Sequence, residues 1–236
     1  MRVQDQLAYI LHQRPFRDSS LILELFTPDY GRLSVVGKGC ASSRSKTKSV
    51  LRAFQPLVIS WSGKGEMPTL VTAEPLISQV KIPALTGDSL LSGFYINELI
   101  LRLLHKHDVH ENVFSLYQNV LQCLTDNRMI EICLRIFEKN LLQFLGFEIN
   151  LTIDADSGKP VSPTKDYIYY IEHGPVEVSF NNEANNQLKI DGSSLLAFSQ
   201  EDLADEKVRK QVKSLTRYIL AYYLGDKPLK SRELFI

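Results

Sequence analysis

From Arg32 to Lys64 the chain carries seven basic residues, Arg32, Lys38, Arg44, Lys46, Lys48, Arg52 and Lys64, and no acidic one. Most of them fall in "GKGCASSRSKTKSVLR", residues 37–52, a stretch with almost nothing to offer a hydrophobic core. Lysine and arginine in such a run neutralise phosphates and displace condensed counterions, chemistry that reads charge and not base identity. A second basic group comes late, at Lys207, Arg209, Lys210, Lys213 and Arg217. Within it Lys207, Lys210, Lys213 and Arg217 follow helical spacing and share one face. Phe16, Tyr30, Phe54 and Trp61 are the aromatic candidates for stacking on bases. The alternative for Phe54 and Trp61 is a place in the core, and for each basic group it is an ordinary solvated surface.

The formal net charge of +0 conceals an asymmetry. Residues 1–80 hold 10 Lys+Arg against 6 Asp+Glu, a balance of +4, and residues 81–236 hold 17 against 21, a balance of −4. A local positive field attracts polyanions whatever the chain total.

Catalytic patterns are missing. "CASSRSKT" has the lysine and threonine of a phosphate loop but Cys40 and Ser45 where that loop needs glycine. His105, His107 and His110 spread around a helix axis and do not converge. Asp154, Asp156 and Gly158 begin like a calcium loop, but position 165 is Lys where the distal Glu would stand, so the segment reads as a turn. There is no Cys-x-x-Cys, HExxH or G-x-S-x-G, and no acidic cluster in the first half for magnesium-dependent strand cleavage. The reading is a non-enzyme without cofactor or metal. Three scattered cysteines, Cys40, Cys123 and Cys133, make no disulfide framework. With no signal-peptide pattern and no apolar run of membrane-spanning length, this points to a cytoplasmic, nucleoid-associated protein.

The elements that must carry these residues change character along the chain. Residues 6–13, 20–26, 32–38, 56–63 and 67–76 are short β-prone runs, with Pro15 expected to break the first. Five strands in so short a span predict a small closed or half-closed barrel or a sandwich, with the basic segment joining strands three and four. Beyond Pro83 the apolar period becomes helical, predicting helices over 87–107, 111–124, 127–147, 193–203 and 206–224. Residues 150–186 form a polar, Pro-rich and Gly-rich insertion in which "DYIYYI" and "VEVSF" can pair as a hairpin. The expected fold class is α+β, with a β domain over 1–80 and a mainly helical domain over 81–236.

"AYILHQRPFRDSSLILELFTPDYGRLSVVGKGCASSRSK", "GFYINELILRLL", "RIFEKNLLQFLGFEINL" and the terminal "GDKPLKSRELF" together resemble the bacterial recombination mediator family RecO. The resemblance implies an N-terminal five-stranded OB-fold barrel and a helical domain. It also implies binding and annealing of single- and double-stranded DNA, partnership with RecR and with the C-terminal tail of the single-stranded-DNA-binding protein SSB, and help in loading RecA during DNA repair. Many members carry a four-cysteine zinc module after the "LG" helix; residues 150–174 here contain no cysteine, so this chain resembles a branch without the metal. An acidic tail ending in an apolar residue calls for an apolar groove rimmed by cations. Arg135 and Lys139, with Ile132, Ile136 and Leu142, are the candidates, the alternative being that Arg135 snorkels from a packed helix. The competing function is a protein-interaction adaptor whose barrel chiefly engages a partner protein.

Overall fold

The computed structural model describes residues 2–42, 45–76, 84–147, 149–179 and 187–235. The chain divides into two compact units, Met1–Asn127 with Leu229–Ile236, and Arg128–Pro228. The sequence boundary expected near residue 80 lies outside the described residues.

The first unit is built on five strands: β1 (Arg2–Phe16), β2 (Ser20–Thr27), β3 (Gly31–Gly37), β4 (Leu57–Ser62) and β5 (Thr69–Pro75). They close into a barrel in the order β1-β2-β3-β5-β4. All pairings are antiparallel except β3 with β5, which meet in parallel through Val36 and Thr69. Alternation along the strands sends Ala8, Ile10, Leu23, Leu25, Leu33, Val35, Leu57, Ile59 and Trp61 into the barrel. The residues between them do not all face water. Tyr9, Leu11, Ile22 and Phe26 are buried as well, because α1 (Gly87–Leu103) and α2 (Glu111–Cys123) belong to the same unit. Phe114 and Tyr117 of α2 pack against Tyr9 and Phe26 with ring centroids 5.1–5.9 Å apart. Burial on both faces explains why "LAYIL" is a continuous apolar run and not an alternating one.

β1 does not stop before Pro15, as expected from sequence, but runs on to Phe16. Proline is tolerated there because it sits at the strand end, where a missing N–H breaks little of the ladder. The β1–β2 register shifts between Ile10 and His12, a bulge that takes the Leu11 carbonyl out of the regular pairing. Asn97 of α1 answers it: its Nδ2 donates to Leu11 O at 2.8 Å, and its Oδ1 accepts from Tyr117 Oη at 2.8 Å. Helix α1 begins after Thr86, whose N–H donates to Ser89 Oγ at 3.0 Å. Gly31, at φ 61°, admits no side chain, since a Cβ there would lie 2.1 Å from the Asp108 carbonyl oxygen. The end of the chain also belongs to this unit. Glu98 of α1 accepts from Lys230 N (2.9 Å), Ser231 N (2.8 Å) and Ser231 Oγ (2.6 Å).

The second unit holds α3 (Ile130–Phe144), α4 (Gly192–Ser199), α5 (Glu206–Leu224) and a sheet of β6 (Asp166–Tyr170), β7 (Gly174–Glu177) and β8 (Lys189–Asp191) in the order β7-β6-β8. The expected hairpin is thus present, with a third strand added from beyond residue 186. Asp154, buried, fastens the insertion: Oδ1 accepts from Ser157 N at 2.6 Å and Oδ2 from Glu177 N at 2.7 Å. Although burial alone would raise its pKa, these donors hold it below the ordinary carboxylate value. Cys40 is a free, buried thiol. No described helix is long and apolar enough to cross a membrane.

Candidate nucleic-acid interface

The 37–52 segment is not a loose loop where it is described. Residues Lys46–Ser49 form a 3-10 turn, and Leu51 is buried in the barrel core with Val50 packed beside it. Two apolar residues thus dock the segment onto the barrel. Lys38, Lys48, Arg52 and Lys64 are exposed. Lys48 Nζ is 3.4 Å from Ala41 O. None of the four forms an ion pair among the described residues. Arg44 lies outside the described residues, as does the side chain of Lys46.

Backbone bonds tie this segment to one turn, and the end of β3 just before it to another. Ala41 N donates to Ser19 O at 2.9 Å in the β1–β2 turn, and Val36 N donates to Pro68 O at 2.8 Å in the β4–β5 turn. Leu21 pairs with Gly37 across β2 and β3. The β1–β2 hairpin therefore brings Arg14 and Arg17, both exposed, to the same edge as Lys38 and Lys48. Sequence reasoning missed these two arginines because it ended the strand at Pro15. The available signal was "RPFR", two cations flanking an aromatic beside a turn. Asp18 is the acid of this hairpin turn.

Arg32 belongs elsewhere. It is half-buried on β3, and its Nη1 donates to the Leu101 carbonyl at the end of α1. Burial lowers its pKa and neighbouring Glu24 opposes that shift. Glu24 also accepts from Ser34 Oγ at 2.5 Å and lies 3.7 Å from Lys106 Nζ. Together with buried Ile22 and Phe26, these contacts occupy the outer face of β2 and β3. In an OB-fold that face and the β1–β2 and β4–β5 loops serve oligonucleotide binding. Here the helices cover the face, and the loops are left with the cations.

The aromatic candidates separate cleanly. Trp61 is 4% exposed and meets Tyr30 edge-on at 5.2 Å inside the barrel core cluster. Phe54 packs edge-on to Phe94 at 5.1 Å. Phe16 alone of the four stands at the hairpin, half-buried, with the Arg17 guanidinium 5.1 Å from its ring centroid.

Family comparison supplies the context for this barrel. A model described as "Recombination protein O N terminal" matches residues 1–79, and one described as "Recombination protein O C terminal" matches residues 85–233. The chain belongs to the Recombination protein O family. It is 43% identical over 233 residues to a protein of Nitrosospira multiformis named "DNA repair protein RecO", covering 99% of this chain and 95% of that one. Relatives of the same name from Nitrosococcus oceani and Haemophilus influenzae are 42% and 41% identical, over 93% and 97% of their own lengths. The α+β architecture, a five-stranded OB-type barrel followed by helices, is the one expected from that family.

The other sequence candidates lie in the second unit. On α5, Lys207 pairs with Asp191, Lys210 with Glu206 at 2.6 Å and Lys213 with Glu131 at 3.0 Å. Arg217 is exposed and has no ion pair among the described residues. On α3, Arg135 is not at a groove rim. Its side chain is 5% exposed, pairs with wholly buried Glu138 at 2.8 Å and donates to Thr216 Oγ1 at 2.7 Å. Leu142 is fully buried, and Ile132 and Ile136 are partly so. Lys139 pairs with Glu201 at 2.7 Å and reaches a cleft of about 610 Å³ that Gln143, Ile149, Leu151, Ile153 and Ser199 also line.

Proposed function

We propose that this chain is a non-catalytic DNA-binding and strand-annealing mediator of recombinational repair, with its DNA contact on the N-terminal barrel. The observation that carries the reading is the edge formed by the β1–β2 hairpin, the 38–52 segment and the β4–β5 turn. Arg14, Arg17, Lys38, Lys48 and Lys64 are exposed on these elements, which are joined by the Ala41–Ser19 and Val36–Pro68 backbone hydrogen bonds, and Arg52 is exposed at the far end of the segment. Such a surface screens phosphates without occupying base edges, and annealing needs just that: two polyanions brought together with their bases free to pair. Residues 1–80 are the DNA-binding domain in this reading and 81–236 the helical domain. Action with RecR, recruitment through the SSB tail and promotion of RecA loading belong to the same proposal, supported by membership of the family. For the tail, an acidic peptide with an apolar end, the cleft beside Lys139 is the candidate: Ile149, Leu151 and Ile153 offer apolar contact among polar Gln143, Asn150, Thr152 and Ser199, and Lys139 would exchange Glu201 for the peptide.

The test is direct titration of the isolated protein onto a single-stranded oligonucleotide across a salt series. Six phosphate contacts give a slope of log K against log salt of about −4, at roughly −0.7 per contact. The Lys38→Ala, Lys48→Ala, Arg52→Ala, Lys64→Ala variant flattens it by about three units. An unchanged slope removes the barrel edge as the phosphate contact.

A second reading, an adaptor whose barrel engages a partner protein, draws on one observation. Met67, Val71 and Leu76, on and beside β5, are 48%, 48% and 38% exposed. Absence of any gel shift by the isolated protein at low salt favours it.

A further inference from the structure

The nucleic-acid reading leaves open what, if anything, touches a base. We infer that Phe16 is the base-contacting side chain of the barrel: one unpaired nucleobase stacks on its ring while the neighbouring cations hold the flanking phosphates. The inference rests on the DNA-binding reading and goes beyond it by fixing the ligand group, the residue and the number of bases.

Elimination supplies the first support. Stacking requires a ring with an accessible face beside backbone-neutralising charge. Trp61 and Tyr30 are spent on each other within the barrel core cluster. Phe54 fills the space above Gly93, where its ring atoms lie 2.9 Å from the position a Cβ would take. Tyr9, Phe26, Phe114 and Tyr117 are locked together under the helices. Tyr30 and Phe54 are partly accessible too, but their rings pack against Trp61 and Phe94, whereas Phe16 has no aromatic partner among the described residues and is bracketed in sequence by Arg14 and Arg17.

Geometry supplies the second. Phe16 is the last residue of β1, paired with Ser20, so the strand ladder fixes its position. The next residue, Arg17, has φ 53°, a left-handed backbone that a non-glycine residue adopts at a cost. That turn folds the guanidinium back to within 5.1 Å of the Phe16 ring centroid. A flat cation thus covers the ring where a flat base would lie. On binding, the base takes the ring face and the guanidinium moves to an adjacent phosphate, exchanging a cation–π contact for a charge-assisted one. The Ser19–Ala41 hydrogen bond keeps the hairpin tip against the cationic segment while this happens.

The consequence is a site that grips one base and leaves the rest of the strand free. Every base has a stackable face, so the site tolerates any sequence. A row of aromatic platforms would sequester successive bases and oppose pairing; a single ring does not.

The experiment is photocrosslinking of the full-length protein to an oligothymidylate carrying 5-iodouracil, with the linked peptide mapped by mass spectrometry, alongside salt titrations of Phe16→Leu and Phe16→Trp. Phe16 is expected to carry the crosslink. Phe16→Leu should weaken binding about fivefold or more with the salt slope unchanged, and Phe16→Trp should restore it. For Phe16→Leu, Trp61 fluorescence as in wild type verifies that the barrel stays folded, and for Phe16→Trp an unchanged urea midpoint does. Crosslinking to exposed Tyr218 or Tyr222, or a Phe16→Leu variant that crosslinks and binds like wild type, overturns the assignment of Phe16 alone. No binding by wild type at low salt overturns the DNA-binding reading with it.

Discussion

The hydrogen-bond relay Tyr117–Asn97–Leu11 is what lets a bulged strand be buried beneath two helices, and Tyr117→Phe tests it with the least change of shape. Tyr117 is fully buried and Asn97 nearly so. Burial pushes the Tyr117 pKa well above the ordinary tyrosine value, so the group is a neutral donor throughout. Removing its hydroxyl deletes one hydrogen bond, worth about 1 kcal/mol net, and leaves Asn97 Oδ1 without that donor. A buried acceptor left unpaired costs about 1–3 kcal/mol. The expected loss is therefore about 1–3 kcal/mol. Asn97→Ala removes both bonds and strands the bulge carbonyl of Leu11 as well as Tyr117 Oη, so about 2–4 kcal/mol is expected. In the double variant the Tyr117–Asn97 bond can be lost only once, and the two effects should fall short of additivity by about 1 kcal/mol. Trp61 is the chain's single tryptophan and sits in the barrel core. Its fluorescence in a urea titration reports on the first unit. A Tyr117→Phe loss below about 0.3 kcal/mol, or full additivity with Asn97→Ala, would refute the relay.

Four further outcomes are expected. Gly31→Ala, which adds a Cβ where the Asp108 carbonyl stands and strains a positive φ, should destabilise the barrel by at least about 2 kcal/mol in the same titration. Glu98 is pulled below its ordinary pKa: burial pushes the other way, but hydrogen bonds from Ser231 and Lys230 prevail, with Arg102 assisting. A carboxylate with a depressed folded pKa contributes stability above its unfolded value of about 4.3 and loses it as pH falls through the folded value. Wild type should therefore exceed Glu98→Gln by about 1–2 kcal/mol at neutral pH, with the gap closing below about pH 4, as read by proteolysis of the C-terminal segment. Arg135→Ala leaves Glu138 buried beside an empty position and should cost about 3 kcal/mol, whereas Arg135→Met with Glu138→Leu should restore most of it in thermal melts. Finally, Lys207→Ala, Lys210→Ala, Lys213→Ala should change the DNA salt slope by less than about one unit, because each of these lysines already holds a carboxylate.

How much of this was legible in the sequence follows from the range of each signal. The five strands, the five helices and the β6–β7 hairpin were readable because their periodicity is local. The buried outer face of β1–β3 was not, since a strand covered by helices and a strand filling a barrel both present as apolar runs. Pro15 misled because its effect depends on whether its missing N–H faces a partner, a property of the ladder. The charge of residues 37–52 was plain, but its merger with Arg14 and Arg17 depends on the β2–β3 register and on one bond from Ala41 to Ser19. Arg135 looked like a rim cation because charge and helical spacing cannot reveal that Glu138 and Thr216 enclose it. Lys139, one turn on, reaches the cleft.

The covered face bears on the proposed annealing role. An OB-fold that uses the β2–β3 surface holds bases flat against the sheet. In this chain that surface is closed by a double seal, apolar through Phe26 against Phe114 and Tyr117 of α2, with Ile22 also buried, and polar through Arg32 to Leu101 and Glu24 to Lys106. On the proposed function, what remains for a nucleic acid is an edge: two tight turns and a docked 3-10 segment, bearing cations and one aromatic ring. An edge touches the phosphate chain along a line and cannot enclose a base. On the proposed function, a strand held there would keep its pairing edges toward solvent, and the charge that repels a second strand would be neutralised. Opening the β2–β3 face with helix-disrupting substitutions should therefore make a tighter single-strand binder and a poorer annealer, two quantities that would otherwise rise together.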